Sequence, residues 1–85
     1  MTMNEFKRQT QTLADQAQAA KVCGNPERSI ELSMERARLM LAHPEFWPGD
    51  PEPDQIRYNC EGTIWIGQLA LRISRDAKRL RTIAR

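Results

Sequence analysis

The sequence predicts an all-α protein, an antiparallel three-helix arrangement made of a helical hairpin and a long C-terminal helix, with a second copy making it a dimer. Three observations carry that prediction. Apolar residues recur at spacings of three and four in three separate stretches. Glycine and proline mark the junctions between those stretches. The last stretch bears two apolar stripes where a single neighbour would need only one.

The first helix is expected over residues 4–23. Met3, Phe6, Thr10, Leu13, Ala17 and Ala20 form one stripe, and the residues between them are polar. The stripe thins toward Ala17 and Ala20, so a neighbouring backbone can come close there. Gly24 follows as the residue able to take positive φ at the helix end.

Asn25-Pro26 restarts a helix at once, with Asn as cap, Pro at the first helical position and Glu27 at the positive end of the dipole. This second helix is expected over 26–42, with Ile30, Met34, Ala37 and Leu41 on its stripe and Leu39 and Met40 widening it. So short a turn between two amphipathic helices predicts a hairpin.

Residues 43–53 read as a loop, because four prolines in eleven residues remove donors and restrict their predecessors. Phe46-Trp47 in this stiff segment have two readings. They serve as aromatic anchors for a partner, ringed by Asp50 and Glu52, or they fold back as a lid over Leu41 and Ile56. The lid is the favoured reading.

Asp54 caps a third helix over 54–84, which at 1.5 Å per residue is roughly 45 Å long. Ile56, Cys60, Ile64, Gly67 and Leu71 form the stripe expected against the hairpin. Ile66, Leu69, Ile73, Ala77, Leu80 and Ala84 form a second; Trp65, Ile66, Leu69, Ile73, Ala77 and Leu80 are the expected dimer interface, and Tyr58 is core or interface. Gly62 and Gly67 each cost about 1 kcal/mol relative to Ala inside a helix. Close helix contact explains them better than a break at Gly62.

At 85 residues the chain buries only about 60–65% of its unfolded surface. Its core supplies roughly 3–5 kcal/mol, so a staple or a second copy is needed. With two cysteines and one histidine, no zinc-ligand spacing exists, and neither a metal nor a cofactor is expected. Cys23 and Cys60 are expected to be free thiols acting as small buried hydrophobes. The opening residues are polar, without a secretory apolar core, and no run of about 18 apolar residues occurs. The expected location is cytoplasmic, with no membrane contact.

No catalytic site is expected. A cysteine nucleophile needs a base, and the single candidate, His43, sits where it caps the second helix. The four glycines are scattered rather than gathered in a phosphate loop. Without a concave site, no small-molecule substrate is expected.

Net charge is only +2, but it is polarised. Residues 72–85 hold Arg72, Arg75, Lys78, Arg79, Arg81 and Arg85 against Asp76 alone, a local +5. Residues 43–54 hold Glu45, Asp50, Glu52 and Asp54 with no cation, a local −4. The functional expectation is a small non-enzymatic accessory or inhibitory protein that occludes a surface of a larger intracellular protein. A phage or other mobile element would be a fitting source. The basic helix supplies the alternative, a nucleic-acid-binding regulator, although residues 66–85 offer no aromatic to stack on bases.

Overall fold

The computed structural model describes residues 1–49 and 52–83. Three α-helices account for most of them: α1 (Met3–Val22), α2 (Pro26–Ala42) and α3 (Pro53–Ile83). A single 3₁₀ turn, Pro44–Phe46, lies inside the segment expected to be loop.

The first two helices each start on a side-chain cap. The Thr2 hydroxyl accepts from the Glu5 N–H at 3.2 Å, fixing the start of α1. The sequence carries this signal as Thr2-x-x-Glu5, a capping-box spacing that places the start one residue before the expected Asn4. Gly24 adopts φ of 80° behind the α1 cap residue Cys23, and the Asn25 amide donates back to the Ala20 carbonyl at 2.8 Å. The Asn25 side chain accepts from the Arg28 N–H to open α2. α3 begins at Pro53, where a missing N–H is harmless. It runs unbroken through Gly62 to Ile83.

Packing centres on α2, which lies against both α1 and α3, while α1 and α3 scarcely meet among the described residues. Leu32, the most buried residue, was absent from the expected α2 stripe. It lies about 160° around the helix from Met34. A helix buried on two opposite sides has a neighbour on each, so Leu32 serves one flank of α2 and Met34 the other. On the α3 side, Ala37, Ile56 and Cys60 form the cluster against which Met40, Leu41, Trp47 and Ile64 pack.

Two contacts lock the layer. Phe6 of α1 meets Phe46 and His43, with ring centroids 5.2 and 6.2 Å away. Glu27 of α2 accepts from Ser74 and pairs with Lys78 of α3, both at 2.6 Å. The expected burial of both cysteines holds for Cys60 only. Cys23 is exposed because it caps the end of α1, past the last buried position, Ala17.

Candidate protein interface

α3 is a two-sided helix. Ile56, Cys60, Gly67 and Leu71 are buried, as the first stripe required. A Cβ on Gly67 would stand 2.6 Å from the Met34 sulfur, so the missing side chain is what admits α2. Gly62 is different, since a Cβ there would meet nothing within 4 Å. Close contact within the chain therefore explains Gly67 and leaves Gly62 unexplained.

Among the described residues, nothing covers the opposite side of α3. Trp65 is 65% exposed, and Ile66, Leu69, Ile73 and Leu80 are exposed beside it; Ala77, at its edge, is half-buried. Tyr58 and Ile83 extend the patch at its two ends, 73% and 69% exposed. The expected interface omitted Ile83 and Gly62, while Tyr58 was open between core and interface and is found exposed. The signal was present: Gly62, Ile66, Leu69, Ile73, Asp76, Leu80 and Ile83 alternate by four and three, a heptad frame with two irregular members. An open groove of about 980 Å³ runs beside this patch between α2 and α3, with Ser29, Ile30 and Ser33 on one wall and Tyr58, Gly62 and Ile66 on the other.

The charged residues flank this patch. Arg72, Arg75, Arg79 and Arg81 are exposed and form no ion pair among the described residues. Lys78 is turned away to Glu27. Its ammonium, with the Ser74 hydroxyl, holds the Glu27 carboxyl below the usual range. Asp50 and Arg85, named with these surfaces, lie outside the described residues.

The connection after α2 is folded onto the core. The Trp47 indole N–H donates to the Met40 carbonyl at 2.7 Å, and the ring packs on the Ala37–Ile56–Cys60 cluster. Arg57 lies over its outer face, 5.7 Å from the centroid. Phe46 stacks on His43 at 5.8 Å. The His43 ring bonds the Glu45 carboxylate at 2.9 Å, which holds that acid below its ordinary pKa. Both aromatic rings are half-buried, while Glu52 is exposed.

Chemically, the arrangement suits association. Burial pushes the Cys60 thiol up in pKa, the reverse of what activates a nucleophile. No helix is long and apolar enough to cross a membrane among the described residues. Compared with protein-family models, with curated proteins and with solved structures, the chain gives no match, so its function is read from these residues themselves.

Proposed function

We propose that this protein is a non-catalytic association module, an accessory or inhibitory protein that occludes a functional surface of a larger intracellular protein. It works as a homodimer joined through the outer face of α3. The observation that carries the reading is that uncovered face, with Trp65, Ile66, Leu69, Ile73 and Leu80 all exposed on one helix. Contiguous apolar patches of this kind mark association sites in water-soluble proteins. Size supports it too. A compact 9.8 kDa protein exposes about 5,200 Å², whereas this chain exposes 6383 Å².

In this reading the helices run in alternating directions. Support comes from Phe6, near the start of α1, lying on Phe46, just past α2. Glu27, near the start of α2, likewise pairs with Lys78 late in α3. The joined pair then offers the larger protein the acidic connection and the arginine-rich flank.

The exposed arginines also favour a second reading, a regulator that neutralises nucleic-acid phosphates with Arg72, Arg75, Arg79 and Arg81. Affinity capture from nuclease-treated lysate separates the two. With wild-type protein, one stoichiometric protein is expected, lost when Arg75→Glu and Arg81→Glu, which lie outside the proposed dimer seam, are combined. Recovery of nucleic acid alone from untreated lysate, with nothing left after nuclease, would overturn the first reading.

A further inference from the structure

We infer that two copies of this chain pair their α3 helices antiparallel about the helix midpoint, so that arginines late in one helix cover aromatic rings early in the other. The inference rests on the association proposed above and adds its partner geometry.

α3 covers Pro53–Ile83, so its midpoint is Gln68. Antiparallel overlap of these described spans sets residues whose numbers sum to about 136 side by side. In the heptad frame the nearest layers join Ile66 with Leu69, Gly62 with Ile73 and Asn59 with Asp76, each across the two copies. Both irregular members of the frame find a use. Gly62, with open space around it, becomes the notch that receives Ile73. Asp76 meets an amide able to donate to it.

The flank agrees. Tyr58, Trp65, Arg72 and Arg79 are seven residues apart on the same edge of the stripe. Antiparallel helices bring like edges together, which places Arg72 of the second copy by Trp65, and Arg79 of the second copy by Tyr58. Guanidinium groups over aromatic faces attract. Glu61, one turn behind Trp65, adds an acid on the same side. A parallel pair would instead set Asp76 against Asp76, leave a hole between facing Gly62 residues and lay two +5 segments side by side.

The chain exposes about 1,200 Å² more than a compact protein of its mass, and a standard interface takes about 800 Å² from each partner.

Cysteine pairing tests the geometry. In the full chain carrying Cys23→Ser, Asn59→Cys and Asp76→Cys are made singly at these exposed positions. Each variant is oxidised alone and as an equimolar mixture, with circular dichroism checking the fold and light scattering the mass. A covalent dimer formed only in the mixture supports the antiparallel pairing. Covalent dimers from each variant alone overturn it in favour of the parallel one. A non-covalent dimer that forms no 59–76 bond overturns the register. A monomer throughout overturns the pairing and the dimeric reading together. Arg72→Glu combined with Arg79→Glu should weaken the dimer on the order of tenfold. No change would remove the arginine–aromatic contacts from the interface.

Discussion

Trp47 shows how much one side chain carries here. It closes the open end of the α2–α3 core and donates its indole N–H to the Met40 carbonyl. Trp47→Ala should cost about 2 kcal/mol, below the full-burial range because the ring is half-exposed. Trp47→Phe keeps most of the packing and should cost about 1 kcal/mol for the lost hydrogen bond. Urea unfolding followed by circular dichroism reads both. The two cysteines give a second contrast. Cys23 is exposed and Cys60 is buried with its pKa raised. A thiol reagent at neutral pH should label Cys23 promptly and Cys60 only as the chain unfolds. Equal rates at both thiols would contradict this core.

At the scale of the element, the two α3 glycines separate helix propensity from packing. Gly67→Ala pushes a methyl into the buried Met34 side chain, and an overpacking cost of about 1–3 kcal/mol cancels or outweighs the propensity gain of about 1 kcal/mol. Gly62→Ala meets nothing within the chain, so a monomer should gain about 1 kcal/mol. In the antiparallel dimer the same methyl fills the notch, and the dimer should weaken although each helix is better formed. The Glu27–Lys78–Ser74 contact that ties α2 to α3 has a pH signature. Because folding lowers the Glu27 pKa, its contribution is present above the unfolded value near 4.5 and fades as pH falls through the folded one. Thermal melts should show the drop on that acid side, and Glu27→Gln should flatten it.

How legible these elements were depends on what stabilises them. The inner stripe of α3 and the Gly24-Asn25-Pro26 junction could be read directly, because periodicity and cap chemistry are local. Thr2 is equally local, since Thr2-x-x-Glu5 marks the start of α1 one residue before the expected Asn4. Leu32 could not be read in that way. Its burial follows from α2 lying between two neighbours that hardly touch, and a single helical stripe does not announce a layer. The Ile83 end of the outer patch and the notch at Gly62 were hidden because Asp76 and Gly62 itself interrupt the apolar run of the heptad frame.

At the scale of the molecule, shape repeats what the single helix indicates. The radius of gyration is 15.3 Å, where a compact chain of this length has about 12 Å, and the long axis reaches 52 Å. Three helices laid side by side leave an outer face that a closed bundle would hide. A second copy against α3 thickens the layer and covers its largest apolar surface. Sedimentation equilibrium of the full chain at micromolar concentration, beside a Leu69→Glu variant, measures this most directly. Wild-type protein at twice the 9.8 kDa chain mass, with a folded, monomeric variant, is the result expected from an α3-mediated dimer. A wild type that stays folded at the single-chain mass would contradict it.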